Sequence, residues 1–539
     1  MSLLNFSPLD VHGRPYAIQE FNGKITTGSS EDFHNAQKSE VLSMYPMIDK
    51  SKLNALQHCI ARDEVQNLYT QNEEKNSGVY QAWNIWNQEG ITGVVEHVTS
   101  ATETTNLWPI AKLGKGIIKV RNGVSYLASK VLSSLPQDEL DNLLQTYGHT
   151  LDWKDNWIRC MAFHESGKRL AVCQRSDYIR VYTIINNNEN VAPLTLKHPS
   201  QKNVSCMSWQ MFDHRVLAVG AGDAILIWRL VNKTFTSKPS GQCAQVIDLS
   251  IGPISQIVWD RTSSSSLFAV SPNHNKIMIV DSISGEVDSV GAWTGGCITR
   301  IVPTRDGKRL AVLYTGNLLR VYDRSDWSSE NWGGLDGRAV DAVWSPNGEC
   351  LMFSTELSHQ LFSIAFHSKE FVNDDGQKEM KLIGETVAQP MFDVSAVEFD
   401  PAELNITNHE ARPVQVIGGE VQSLALSPDG QRLAVQFKHN PEVFAIFIVD
   451  WHPVLRLIPI GLAEAPGSGK VTILDFVPQF RDGSLLFAVW SDGLVQYLPL
   501  IYGAPTSTGF SKSILGFSPH FLENQSFYQD AMNISSQKF

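Results

Sequence analysis

The chain has 539 residues, 42% of them hydrophobic and 19% charged, the balance of an ordinary globular protein with room for one large domain and about 150–200 further residues. A formal net charge of −12 argues against direct nucleic-acid binding, which needs phosphate neutralisation. Seven cysteines, an odd number with no CxxC pair, fall mostly within strand patterns and read as small buried hydrophobes in a reducing compartment.

Residues 1–46 form a mixed segment with one strand-like piece at about 16–27, YAIQEFNGKITT. The opening MSLLNFSPLDVHGRPY has no basic stretch and no sustained apolar core, so no signal peptide is expected. Residues 47–146 change to helical spacing, through Leu53, Leu56, Cys59 and Ile60 and then Trp83, Trp86, Ile91, Val94 and Val98. Within this block, residues 104–137 contain no Asp or Glu. There Ile110, Leu113, Ile117, Val120, Val124, Leu127 and Val131 recur at three and four, an apolar stripe, with Lys112, Lys115, Lys119, Arg121 and Lys130 off it. A basic amphipathic helix of this kind docks on an anionic membrane surface or in a partner groove; packed on the rest of the chain, it is a structural helix with a solvated basic face. Acidic residues after Pro136 mark another helix start at 138–144.

From 155 to 500 one pattern recurs seven times: an apolar strand ending on a bulky anchor, a polar turn, a Leu-Ala-Val-like strand, a second turn and a third strand. The first copy reads IRCMAF-HESGK-RLAV-CQRSD-YIRVY (158–182) and the sixth VQSLAL-SPDGQ-RLAV…FAIFIV (421–449). The anchors are Phe163, Trp209, Trp259, Pro303, Trp344, Leu426 and Phe476, spaced by 46, 50, 44, 41, 82 and 50 residues. A period in the forties with three or four strands per unit predicts an all-β fold, a seven-bladed WD40-like β-propeller carrying an N-terminal α-helical elaboration. The anchors are expected in the core. The gap of 82 holds residues 367–420, with eleven Asp/Glu against four Lys/Arg, which reads as an acidic surface loop. The seventh repeat stops after three strands, so its outer strand must come from elsewhere; the piece at 16–27 is the first candidate and 150–153 the second. Residues 501–539 are a polar tail.

No catalytic, cofactor or metal motif emerges. His164-Glu165 lacks the second histidine of a zinc-protease helix. Gly467-Ser468-Gly469-Lys470 has Glu464 where a phosphate loop needs glycine, and Val471 where it needs a hydroxyl. Gly220-Ala221-Gly222 is too short for a dinucleotide loop. The most apolar long stretch, 443–462, is broken by Asp450, His452, Arg456 and two prolines, so no membrane span is expected.

The order of parts and several local matches carry a resemblance. They include NGKITTGSS (22–30), WNIWNQEGITGVVEHV (83–98), LKHPSQKNVSCMSW (196–209), ILIW (225–228), SKPSGQCAQVI (237–247) and WSDGLVQYLPL (490–500). Over about residues 15–505 the chain resembles the aladin family of WD-repeat nucleoporins. That resemblance implies a non-enzymatic scaffold of the nuclear pore complex at the nuclear envelope, with an association with the mitotic spindle. It also implies a transmembrane nucleoporin of the pore membrane and other nucleoporins as partners, and support for nuclear import. Peripheral contact with the nuclear membrane would fall to the basic stretch. The alternatives are a WD adaptor of a ubiquitin ligase or trafficking complex, and a propeller enzyme built around its channel.

Overall fold

The structure, a computed structural model, describes residues 2–3, 16–39, 42–53, 137–184, 193–230, 243–249, 251–291, 296–372, 378–399, 415–452, 454–464, 469–481 and 483–502. It is a seven-bladed β-propeller of antiparallel blades, each beginning with its innermost strand. The inner strands are Ile158–Phe163, Val204–Trp209, Gln256–Trp259, Ile298–Pro303, Ala339–Trp344, Val421–Leu426 and Val471–Val477. The core lies between blades. Ala171, Cys173 and Val181 of blade one, for instance, pack on Leu217, Val219, Leu226 and Trp228 of blade two. A half-buried sheet face cannot be covered within its own blade, so each blade depends on the next.

The anchor tryptophans show how neighbours are keyed together. Trp209 donates its indole N–H to the Ala162 carbonyl at 3.0 Å, Trp259 to Ser208 at 2.9 Å and Trp344 to Val302 at 2.9 Å. Each acceptor immediately precedes the anchor of the previous blade. Trp209, Trp259, Trp344 and Phe476 are buried, whereas Phe163, Pro303 and Leu426 are half-buried. A buried indole needs an acceptor, and the repeat supplies one at the same place each time.

The acidic segment differs from the loop reading. Strand Gln360–Val372 first pairs with Cys350–Thr355 and with Gln389–Asp393, the blade's outer strand, and then runs on to pair with Lys378–Gly384. Val397–Phe399 and Gln415–Ile417 form a separate two-stranded ribbon. Charge count marks solvent exposure, not backbone conformation; an exposed strand tolerates polar side chains once its ladder is paired.

The last blade contributes Val471–Val477, Gly483–Trp490 and Val495–Ile501. Strand β1 (Tyr16–Phe21) lies parallel to Val495–Ile501, aligning Glu20 with Leu500 and Phe21 with Ile501. Beyond it runs β2 (Lys24–Gly28), antiparallel to β1. The piece read as one strand over 16–27 is thus a hairpin. Asn22 and Gly23 take φ of 46° and 86° at its turn, the Asn-Gly pair that a tight hairpin favours. The second candidate, 150–153, is a turn at the channel mouth. Helix α1 (Ser30–Gln37) follows, with Ser29 and Asp32 forming a capping box that the sequence reading passed over. The Gln37 amide then brackets Tyr497, donating to its carbonyl at 2.7 Å and accepting from its N–H at 3.3 Å. Leu42, Tyr45, Ile48 and Leu53 close over the seam between the last and first blades. Helix α2 (Gln137–Tyr147) leads into blade one. No described helix is long and apolar enough to cross a membrane.

Candidate functional site

The inner strands surround a central channel, and most share one irregularity. In six blades the ladder shifts register at the strand's second residue, between Ile298 and Arg300 or Ala339 and Asp341 for example. Such a bulge re-aims the side chains beside it. Arg300 and Asp341 emerge there and pair at 2.8 Å. The buried Asp341 carboxylate also accepts from the backbone N–H of Leu424 at 2.8 Å and of Ala342 at 2.7 Å, tying blades four, five and six together. Burial pushes the Asp341 carboxyl up, against the pull of Arg300 and these two donors. Asp475, from blade seven, is exposed to the lumen but walled by protein, which lifts its carboxyl to about 6; Arg300 lowers it and Asp341 raises it.

The mouth where the inner strands begin, the upper face, is capped by the chain itself. Helix α2 stops at Gly148, where a Cβ would lie 2.3 Å from the Leu144 carbonyl oxygen, so only glycine fits. Tyr147 at the helix end and the turn that follows together touch five blades. His149 Nδ1 accepts from Arg300 at 3.0 Å, Thr150 donates to the Arg159 carbonyl at 2.8 Å and Leu151 N–H to Thr472 at 3.1 Å. The Trp153 indole donates to Val204 at 3.1 Å, and the Arg338 guanidinium lies 4.9 Å from the Tyr147 ring centre. Desolvation and the Arg300 charge hold the half-buried His149 down at about 3, so it stays neutral and accepts. Lys470, from the sequence that imitates half a phosphate loop, pairs with Asp152 of this cap at 3.6 Å.

The lower mouth is crossed by two arginines that each skip a blade. Arg261 of blade three reaches Glu165 of blade one at 2.9 Å. Arg305 of blade four donates to the Pro428 carbonyl of blade six at 3.0 Å. His164 lies in the same ring of turns. Its Nε2 is 2.9 Å from the Gln210 carbonyl, so it carries the proton, and Nδ1 accepts from the Ser166 N–H at 2.9 Å. Its partners lock a turn and leave no base free to activate a nucleophile. Among the described residues, no three His, Cys, Asp or Glu side chains converge to hold a metal.

An arginine opens each of the repeated RLAV strands, at Arg169, Arg309 and Arg432, a position the apolar pattern alone does not mark. Arg309 donates to the Leu382 carbonyl of blade five at 3.0 Å and lies over the Phe366 ring. Arg432 forms a buried two-point pair with Glu20 of β1, both contacts at 2.9 Å, and stacks 4.0 Å from the Tyr502 ring centre. The recurrence itself was the signal. Lys112, Lys115, Ile117, Lys119, Arg121 and Lys130 lie outside the described residues. The described flanks of that block, Leu53 packed against Gly493 and Trp157 and α2 leading into the cap, both attach to the upper face.

The geometry defines a seven-bladed β-propeller whose channel mouths are crossed by its own side chains. The chain matches the aladin seven-bladed propeller over residues 139–501, and it belongs to the aladin family. It is similar to Aladin of Arabidopsis thaliana, with 23% identity over 405 residues, 70% of this chain and 82% of the relative. Among solved structures it is similar to the Cps50 (Swd1) β-propeller domain of Myceliophteria thermophila, at 14% identity and a TM-score of 0.43, covering 64% of this chain and 96% of that one.

Proposed function

We propose that the protein is a non-enzymatic scaffold of the nuclear pore complex, held at the nuclear envelope by a transmembrane nucleoporin of the pore membrane and supporting nuclear import. Membership of the aladin family, through a match that spans every blade, carries this reading. The capped and bridged channel agrees with it: a channel enzyme needs an open mouth with converging acid, base or metal groups. Anchoring falls to the upper face, where the described flanks of residues 54–136 attach, with Lys112, Lys115 and Lys119 supplying positive charge toward the partner or the membrane surface. The test follows a fluorescent fusion of the full chain in cells depleted of the membrane nucleoporin. The expected result is loss of the nuclear rim signal at unchanged protein level; a persistent rim would overturn the anchoring. Changing the three lysines together to glutamate should weaken the rim signal without altering thermal stability.

A further inference from the structure

Residues 2 and 3 sit at the seam between blades five and six. Ser2 forms a parallel bridge with Asp393, the last residue of blade five's outer strand. Leu3 is 1% exposed and packs among Phe392, Val394, Ile417 and Val421. The slot is shaped for it. Gly418 has a φ of +110°, and a Cβ there would lie 2.4 Å from Leu3 Cδ1. The same turn is pinned by the Gly419 N–H, which donates to the Val394 carbonyl at 2.7 Å.

Beside the slot lies the ribbon of Val397–Phe399 and Gln415–Ile417, only three residue pairs long. Two isolated strands are marginal in water, so a ribbon this short needs an outside anchor. Its Ile417 is 2% exposed because it packs in the cluster that contains Leu3, while the adjacent Val416 is 42% exposed. We propose that residues 2 and 3 act as a strap: Leu3 fills a leucine slot in the blade five–six seam and holds the ribbon on the propeller. Withdrawal of the strap opens an apolar slot next to a strand edge, Gln389–Asp393, that Ser2 otherwise bridges. The ribbon's hold on the propeller is then set by a segment distant in sequence.

Hydrogen exchange on the full chain tests this. Leu3→Asp places an unpaired charge in the slot, and Leu3→Ala leaves a cavity. Both should raise amide exchange at 389–394 and 415–419 by about thirtyfold or more, the lower end of what truncating a buried leucine costs. Leu3→Met, which conserves volume, should keep exchange near wild type. Amides of β1 and of the inner strands of blades one to four and seven should not change. Wild-type exchange at both stretches in Leu3→Ala would overturn the proposal. So would a rise of equal size in every blade, which would make Leu3 part of the general core rather than a strap. Leu3→Ala keeps the test decisive if Leu3→Asp fails to fold.

Discussion

The inner blades and the closing seam solve the same problem in different ways. Between blades two and three the Trp259 indole reaches a carbonyl 51 residues earlier, and the same bond recurs wherever the anchor is tryptophan. At the seam, Arg432 reaches Glu20 over 412 residues, Gln37 holds Tyr497 over 460, and the Gln496 amide donates to Ala17 over 479. The first kind of contact is repeated and therefore redundant. The second occurs once, joins the two ends of the ring, and leaves charged or polar groups stranded when it is broken. Local periodicity builds the disc; unique long-range pairs close it.

The largest effect should come from deleting residues 1–30. This removes β1 and β2, exposes the edge of Val495–Ile501 and leaves Arg432 buried without its carboxylate. The loss should exceed about 5 kcal/mol, comparable with the whole stability of many domains. Size-exclusion chromatography should then show aggregate, and an unchanged melting temperature would show that closure is not structural. Within the seam, Glu20→Gln alone should cost about 3–5 kcal/mol, the penalty of leaving a buried charge without its partner. Combining Glu20→Leu with Arg432→Met should recover most of it, because the charge is then gone. Denaturant unfolding of the single and double variants measures the difference.

Among the inner blades, Trp209→Ala or Trp344→Ala should cost about 3–5 kcal/mol through loss of a buried ring. Trp209→Phe keeps most of the ring and loses one hydrogen bond, about 1 kcal/mol. If the inner contacts are equivalent, Trp259→Phe and Trp344→Phe should match it; one far larger value would mark a blade that does more than pack.

The smallest effect concerns the lumen. Asp475 titrates at about 6 when folded, against 3.8 for an ordinary aspartate, so the folded state disfavours its ionised form. Asp475→Asn should therefore stabilise the protein slightly above pH 6. The gain should shrink as pH falls from 6 toward 3.8 and vanish below. His149 acts in the other sense: with a folded value of about 3 against 6.5, it withdraws stability as pH falls from 6.5 toward 3. Melting temperatures of wild type and Asp475→Asn at pH 7.5, 5 and 4 isolate the aspartate, since every other group is common to both.

What could be read from the chain was whatever recurs. Seven anchors, the turn between the first two strands and the RLAV strands each encode a backbone geometry by local side-chain pattern, and repetition raises that pattern above chance. The Asn22-Gly23 turn and the Ser29–Asp32 capping box were also present in the residues, since both are local chemistry. Other features were not legible. That the acidic segment pairs as strands depends on the ladder of 367–372 with Lys378–Gly384 and of Gln389–Asp393 with 360–363, and charge says nothing about that. That residues 147–153 cap the channel depends on which carbonyls and guanidinium groups five separate blades present at one mouth. That Glu20 belongs with Arg432, and Leu3 with Gly418, depends on the ring bringing distant segments together. Sequence determines local geometry because it acts over a few residues; only the folded ring decides which unique side chains meet, because those pairings exist nowhere along the chain until it closes.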